Sequence, residues 1–509
     1  MATPSEKLAA SLEALRSLQD KGHTAIQSRE LSRTHRERLV QHGFIQEVMR
    51  GWYIPARPDE TAGESTAWYA SFWKFCAAYL DDRMGDAWCL SPEQSLSLHA
   101  ENWTVPRQLL VRAPAGRNQI TTLPFGTSLL EVRAALPEPQ EAVRKDGQRL
   151  FTLPAALVAA SPAFFTSNST DARAALAMVR DASDVLAKLL TGGHSVIAGR
   201  LAGAFRNIGR ADSADEILQT MKAAGYDVRE HDPFAAASPV LFSSREPSPC
   251  VNRLRLMWQS MRQSVLENFP KAPGMGSTQS AAHYLQQVEE IYTTDAYHSL
   301  SIEGYKVTPD LIEQVRQGAW NPDKNATDAE HVSAMAARGY WQAFQRVKGS
   351  IEKILNGANA GDVVSADHRD WYREMFGPSV TAGILKASDL AGYRTGDVFI
   401  RRSMHVPPRP DAVRDAMPAL MALLREEKEA AVRVVLGHFL FVYIHPYMDG
   451  NGRMGRFLMN TMMASGGYPW LIVPVEQRTA YMEALEAASV DGDIVPFTRF
   501  LAVTGSEYV

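Results

Sequence analysis

The sequence is poor in cysteine. Only Cys76, Cys89 and Cys250 occur among its 509 residues, and they lie far apart. Because no CxxC pair or zinc-ligand spacing is present, we predict neither a disulfide framework nor a cysteine zinc site. We expect all three thiols to be buried as small apolar groups in a reducing compartment.

Long apolar runs are also absent. No uninterrupted apolar segment reaches the ~18 residues that a membrane span requires. The first residues, MATPSEKLAASLEALRS, lack the basic and apolar stretches of a signal peptide. The net charge of -4 excludes a chain that is basic throughout, although it is compatible with a local basic patch. These absences predict a cytoplasmic protein without membrane contact.

Two further patterns are missing. The motif GxxxxGK[ST] occurs nowhere, which excludes a P-loop, and no period of 20 to 50 residues recurs, which excludes a solenoid.

The length predicts two to four domains. We expect a mainly α protein with a winged-helix-like domain at 1–60, an α+β and helical region of unknown role at 61–235, a Pro- and Ser-rich linker at 236–250, and an all-helical domain with a β-hairpin flap at 251–509.

The first 60 residues carry the pattern of a small helical domain with a wing. Helical spacing covers 6–20, a second short segment covers 28–31, and a third helix over 32–43 begins at Ser32. Alternation on both sides of Arg50-Gly51 predicts a hairpin. Seven Lys or Arg against three Asp or Glu lie between residues 21 and 57. Arg33, His35 and Arg36 would face a DNA groove, and a basic face that contacts protein is the open alternative.

The stretch LVQHGFIQEVMRGWYIPAR resembles the N-terminal winged helix of AbiEi-type antitoxins and related regulators. The resemblance covers residues 1 to about 60 closely and continues more loosely to about 235. It rests mainly on the Arg-Gly-Trp-Tyr wing and the preceding helix. It implies a possible role as a DNA-binding regulator, with DNA bound through residues 1–60.

The stretch HPYMDGNGRMGR, residues 445–456, follows the apolar segment AAVRVVLGHFLFVYI, which predicts a buried central helix. The glycines allow a tight loop, and a new helix begins near Arg453, so its free N–H groups form an anion site. Two arginines three residues apart suit a di- or triphosphate. Asp449 can hold Mg²⁺, and His445 can take a proton from a hydroxyl. A dinucleotide-binding GxGxxG and a structural turn are alternatives that the residues favour less.

These twelve residues resemble the Fic motif, His-Pro-Phe-x-Asp/Glu-Gly-Asn-Gly-Arg-x-x-Arg, with Tyr447 in place of Phe. The resemblance implies transfer of AMP from ATP to a Ser, Thr or Tyr hydroxyl of a protein; phosphocholine or another donor is not excluded by the motif. The roles it implies are His445 as general base, Asp449 as Mg²⁺ ligand, Gly450, Asn451, Gly452 and Arg453 on the phosphates, Arg456 on the terminal phosphate, and a target-docking flap at 398–406 that includes Val398, Phe399, Ile400 and Arg401.

A second stretch, AYHSLSIEGY, resembles the inhibitory motif of the same family, Ser/Thr-x-x-x-Glu-Gly/Asn. Ser299 and Glu303 are four residues apart on a helix predicted at 284–304, which Gly304 would end. A carboxylate at a helix C-terminus is unfavourable unless a cation compensates for it. The resemblance implies that Glu303 pairs with Arg456 and inhibits the enzyme; removal of AMP from a modified target is an alternative role.

The prediction is therefore an autoinhibited, Mg²⁺-dependent protein adenylyltransferase. Its partners would be ATP and an unidentified target protein, with self-modification and a homodimer also possible. The alternative is a winged-helix regulator of the toxin–antitoxin type in which the C-terminal domain acts as a sensor.

Overall fold

Helices dominate the chain, as the sequence predicts. The structure, a computed structural model, describes residues 3–58, 64–234, 248–274, 280–320 and 328–506. It divides into two units. The first comprises residues 1–249 together with 399–406, and the second comprises residues 250–398 and 407–509. Residues 236–247 of the predicted linker lie outside the described residues, and the predicted domain limits stay predictions.

The N-terminal part of the first unit has two helices and a three-stranded antiparallel sheet of order β1-β3-β2. The elements are α1 (Pro4–Asp20), β1 (Ile26–Gln27), α2 (Arg33–Gln41), β2 (Ile45–Met49) and β3 (Trp52–Pro55). Ser32 caps α2 by accepting from the His35 N–H, and β2 and β3 form the predicted hairpin. A small core of Leu15, Ile26, Leu31, Leu39 and Ile45 holds these elements together.

The predicted helix at 28–31 is wrong. This segment is a turn, closed by a hydrogen bond from the Glu30 N–H to the Gln27 carbonyl. The Glu30 carboxylate also accepts from the Gln27 N–H. Four residues cannot form a stable helix by themselves, so local side-chain bonds determine the conformation.

The basic side chains of α2 are engaged within the first unit. Arg36 donates to the Ser28 carbonyl and lies over the Tyr53 ring, and Arg33 pairs with Glu37. His35 is hydrogen-bonded to the Ser11 hydroxyl. These contacts leave DNA binding and the winged-helix assignment as predictions, with no observation in their favour.

The rest of the first unit is a mixed α and β region. Strands β4 (Cys89–Leu90), β5 (Gln108–Ala113), β6 (Gln119–Thr122) and β7 (Ser128–Arg133) form a sheet of order β4-β5-β7-β6, and β8 (Ala142–Lys145) pairs with β9 (Gln148–Phe151). The helices are α3 (Thr66–Met84), α4 (Pro92–His99), α5 (Leu153–Ala159), α6 (Pro162–Ser167), α7 (Ser169–Met178), α8 (Ser183–Gly192), α9 (Ser195–Asn207) and α10 (Ala211–Ala223). The aromatic face of α3 packs into one core with the sheet, and α5 to α10 share another.

The regular elements of the second unit are all helices among its described residues. Its helices are α11 (Pro249–Asn268), α12 (Ala281–Glu290), α13 (Tyr292–Ile302), α14 (Pro309–Arg316), α15 (Asp328–Leu355), α16 (Ala360–Thr381), α17 (Pro410–Glu426), α18 (Ala430–Ile444), α19 (Asn451–Gly466), α20 (Arg478–Glu486) and α21 (Val495–Ser506). All but two residues of α18 are buried, as expected for a helix that is apolar on every face. The single helix predicted at 284–304 is two helices that meet at Ile291.

The predicted β-hairpin flap is wrong, because residues 391–409 contain no strand. Their backbone groups bond elsewhere: the Arg402 N–H donates to the Thr66 hydroxyl, and the Met404 carbonyl accepts from the Val105 N–H. Prolines at 407, 408 and 410 lack the N–H that a strand ladder needs. Residues 399–406 therefore pack as an irregular segment of the first unit, with a turn closed from the Ser403 N–H to the Ile400 carbonyl.

All three cysteines are buried and none forms a disulfide, and burial raises the pKa of the Cys76 thiol. In the part of the chain that the structure describes, no helix combines the length and apolarity of a membrane span.

Candidate active site

The side chain of Asn451 holds the conformation of the loop between α18 and α19. Asn451 accepts from the Tyr447 N–H at 2.9 Å and donates to the Tyr447 carbonyl at 2.8 Å. Both polar atoms of the Asn451 amide are thus used inside the loop. Asn451 therefore shapes the loop, and its predicted direct contact with phosphate stays a prediction.

Glycine is required at two loop positions for different reasons. Gly450 has a φ of 79°, which favours glycine, and a Cβ there would lie 2.7 Å from the Phe376 ring. A Cβ on Gly452 would lie 2.3 Å from a carboxylate oxygen of Glu303. The first turn of α19 therefore already faces a negative group, as the N–H groups of a helix N-terminus favour.

His445 ends α18 in a left-handed conformation, with φ 52° and ψ 60°. Its Nδ1 lies 3.1 Å from the Val442 carbonyl oxygen. Because a carbonyl only accepts, this bond places the hydrogen on Nδ1 and leaves the lone pair on Nε2. Burial lowers the pKa of His445 to about 4. The imidazole is therefore neutral at pH 7 and able to accept a proton.

A buried arginine holds the backbone at His445. The Arg394 guanidinium donates to the His445 carbonyl at 2.8 Å and to the Gly396 carbonyl at 3.1 Å, and the Arg394 N–H donates to Pro446. Arg394 is only 2% exposed. Sequence reasoning missed this residue because it lies in an irregular stretch and belongs to no motif.

Asp449 and Arg453 form an ion pair across one turn, with 3.3 Å between their closest atoms. The Asp449 side chain is 64% exposed, whereas that of Arg453 is 1% exposed. The second Asp449 oxygen accepts from the Gly450 N–H. An exposed carboxylate beside an anion site is suited to Mg²⁺ that is held mainly by the phosphates of a ligand. Among the described residues, no group of three or more potential metal ligands occurs.

Arg456 is held by the end of α13. It donates to the Ser299 hydroxyl at 2.9 Å, to the Ser299 carbonyl at 3.0 Å and to a Glu303 carboxylate oxygen at 2.7 Å. Glu303 caps α13, and Gly304 follows with a φ of 89°. The ion pair that the sequence predicts between Glu303 and Arg456 is present.

Glu303 and Arg456 each stabilise the charged form of the other. Burial alone would raise the pKa of the Glu303 carboxyl, but Arg456 and Arg453 outweigh it, so the pKa is lowered. Burial alone would lower the pKa of Arg456, but Glu303 outweighs it and the pKa is raised. Both groups are therefore charged at neutral pH.

Sequence reasoning also missed the polar contacts beneath Ser299. Asp295 lies one turn earlier on α13 and accepts from the Tyr340 hydroxyl at 2.7 Å and from the Trp470 indole at 3.0 Å. Burial raises the pKa of Asp295 to about 6. The four-residue spacing of Asp295, Ser299 and Glu303 was a signal that could have identified this face of the helix.

The flap residues fall outside this group. Phe399 is 40% exposed, and Arg401 forms an ion pair with the buried Glu64 of the first unit at 2.9 Å. Val398 and Ile400 are partly buried. Docking of a target protein on this segment stays a prediction.

Comparison with known proteins gives the family of this region. Residues 366–463, which include the loop and both arginines, match the sequence model of the Fic/DOC family. The chain contains a Fic domain. Over 218 residues, this chain is 30% identical to the protein named protein adenylyltransferase Fic of Drosophila virilis and 31% identical to that of Drosophila yakuba.

These matches are partial. They cover 42% of this chain and 41% and 40% of the two Drosophila proteins, so the chain spans about two fifths of the length of these curated relatives. Among solved structures, this chain is similar to Fic-1 (residues 134–508) from C. elegans, with 19% identity and a TM-score of 0.38 over 64% of this chain and 90% of that one. A Fic domain protein from Bacteroides thetaiotaomicron gives 17% identity and a TM-score of 0.33 over 51% of this chain and 94% of that one.

Proposed function

We propose that this protein is an adenylyltransferase that moves AMP from ATP to a Ser, Thr or Tyr hydroxyl of a target protein, and that Glu303 inhibits it. One observation supports this most directly: a neutral histidine, an exposed carboxylate and two buried arginines surround one glycine loop at a helix N-terminus. The names of the partial relatives point to the same activity.

The proposed chemistry is a nucleophilic displacement at the α-phosphorus. The target oxygen forms a bond to this phosphorus, the bond from the α-phosphorus to the bridging oxygen breaks, and pyrophosphate leaves. The hydroxyl proton passes to Nε2 of His445, which is neutral and whose Nδ1 is held by Val442. No atom changes its oxidation state in this step, so no electron donor or acceptor is needed.

Phosphate binding would use groups that already surround an anion. The Glu303 carboxylate lies beside Gly452 in the first turn of α19, where the N–H groups of a helix N-terminus favour an anion. Arg453 and Arg456 are buried cations on the same helix, and buried guanidinium groups bind phosphate strongly because water screens them little.

Mg²⁺ is the cofactor that we propose for this site. Asp449 would hold it through the exposed carboxylate, together with oxygens of the ATP phosphates. The ion would neutralise charge on the phosphates and on the leaving pyrophosphate. Asp449 and Arg453 pair with each other in this structure, and on binding, Mg²⁺ would take the carboxylate and ATP the arginine.

Inhibition would follow from competition for Arg456. The Glu303 carboxylate bonds the arginine that we assign to the terminal phosphate, so ATP has to displace this carboxylate or bind in another pose. A bound ATP whose terminal phosphate is displaced would no longer present its α-phosphorus in line with the hydroxyl and His445, and transfer would be slow.

The test uses three full-length proteins: wild type, Glu303→Gly, and Glu303→Gly with His445→Ala. Each is incubated with Mg²⁺, cell lysate and ATP labelled either at the α- or at the γ-phosphate. We expect α-label on protein bands with Glu303→Gly only, and no γ-label. Transfer of γ-label would indicate a kinase instead. If ATP binds but Glu303→Gly labels no protein, adenylyl transfer is wrong, and loss of label from a pre-modified target would indicate the reverse reaction.

A further inference from the structure

Arg453 is a buried cation with little compensation from hydrogen bonds. It is 1% exposed, its Nε has no hydrogen-bond partner among the described residues, and its ion-pair partner Asp449 is largely exposed to water. A charge in such a place needs other favourable contacts to keep it in one position.

Two aromatic rings provide these contacts. The guanidinium carbon of Arg453 lies 5.1 Å from the centroid of the Tyr305 ring and 5.0 Å from that of Phe376. Both distances are within the ~6 Å at which an aromatic face attracts a cation. Contact with ring faces leaves the N–H groups at the guanidinium edge available for anions, because the N–H bonds lie in the guanidinium plane.

The two rings come from different parts of the chain. Phe376 belongs to α16 and also packs closely against Gly450. Tyr305 follows the turn at Gly304, only two residues after Glu303, and its N–H donates to the Leu300 carbonyl of α13. The short segment 303–305 therefore contacts both arginines: Glu303 bonds Arg456, and Tyr305 packs on Arg453.

We propose that Tyr305 is a positioning residue for phosphate binding, which holds the Arg453 guanidinium in place through its ring. This inference rests on the proposed function and extends it. The segment that inhibits the enzyme through one arginine would prepare the other for ATP. Loss of Glu303 and loss of Tyr305 would then have opposite effects on ATP binding, although the two residues are neighbours.

The experiment uses the full chain with Glu303→Gly, to which Tyr305→Leu or Tyr305→Phe is added. Binding of MgATP is measured by calorimetry, and KM and kcat are measured by α-label transfer. We expect Tyr305→Leu to raise the Kd and KM for MgATP about 5- to 30-fold, the range that a buried cation–π contact supplies. The kcat should change less than about twofold. Tyr305→Phe, which keeps the ring, should bind MgATP within about twofold of its parent.

Tyr297→Leu is the matched control. Like Tyr305, Tyr297 is a partly buried tyrosine that packs on the same core, but it lies within α13. This substitution should leave the Kd for MgATP unchanged. An unchanged Kd with Tyr305→Leu would overturn the inference, and so would an equal loss with Tyr305→Phe, which would assign the effect to the hydroxyl. Since calorimetry does not depend on transfer, a shifted Kd in proteins that label nothing would contradict the proposed function and leave the role of Tyr305 supported.

Discussion

Replacement of Glu303 by glycine should activate the protein strongly. The substitution removes a carboxylate that accepts a 2.7 Å hydrogen bond from Arg456. The Glu303 side chain is 25% exposed and that of Arg456 is 4% exposed, so the bond is partly screened by water. A hydrogen bond between charged groups contributes about 1.5–3 kcal/mol. If ATP has to displace this bond to bind productively, its removal should raise the transfer rate at low ATP by roughly 10- to 150-fold.

The assay is the initial rate of α-label incorporation at an ATP concentration well below KM, with the same preparation of target lysate throughout. Glu427→Gly is the matched control. Glu427 is also the C-terminal cap of a helix, α17, and it also bonds an arginine, Arg262, at 2.8 Å. The Glu427→Gly substitution should lower the stability of the protein without raising the transfer rate. An increase below about threefold for Glu303→Gly, in protein that binds MgATP, would refute the argument that Glu303 competes with the terminal phosphate.

Three further outcomes are expected. The transfer rate of Glu303→Gly should fall only toward pH 4 and not near pH 6.5. Burial lowers the pKa of His445 to about 4, and removal of the nearby negative charge lowers this pKa further. A pH–rate profile that falls near pH 6.5 would contradict the proposed neutral base. Asp449→Asn should raise the Mg²⁺ concentration for half-maximal transfer by about tenfold or more, measured by Mg²⁺ titration at fixed ATP, and an unchanged requirement would remove Asp449 as ligand. Burial raises the pKa of Asp295 to about 6, so the contribution of the protonated carboxyl to stability is present below pH 4 and is lost as the pH rises through 6. Asp295→Asn should therefore flatten the dependence of Tm on pH over that range, with a total effect of at most about 3 kcal/mol. Parallel curves of Tm against pH for the two proteins would contradict this prediction.

The central site could be predicted from the sequence because its residues are local. The stretch from His445 to Arg456 is one helix end, one loop and one helix start, so spacing alone determines which side chains meet. The pairing of Glu303 with Arg456 spans about 150 residues, and only the resemblance to a family motif made it predictable. The periodic helix α1 and the uniformly apolar helix α18 were predicted for the same local reason.

The failed flap prediction and the two missed residues share a cause, which is that the deciding contacts are distant in sequence. The flap sequence has a Gly/Asp turn and a short β-branched run typical of a hairpin, but its N–H and carbonyl groups bond residues more than 290 positions earlier, at Thr66 and Val105. Arg394 and Tyr305 were missed because neither lies in a motif, and their importance comes from what they touch after folding. The short segment at 28–31 had too few residues for periodicity to carry information.

The left-handed backbone at His445 places stability and chemistry in opposition at one residue. A side chain in this conformation costs on the order of 1 kcal/mol relative to glycine. Any selection of sequences for thermal stability alone would therefore favour glycine at the one position where the imidazole is needed. A stabilised descendant of this protein could keep its helices, its loop and both arginines and still have lost its only proposed base.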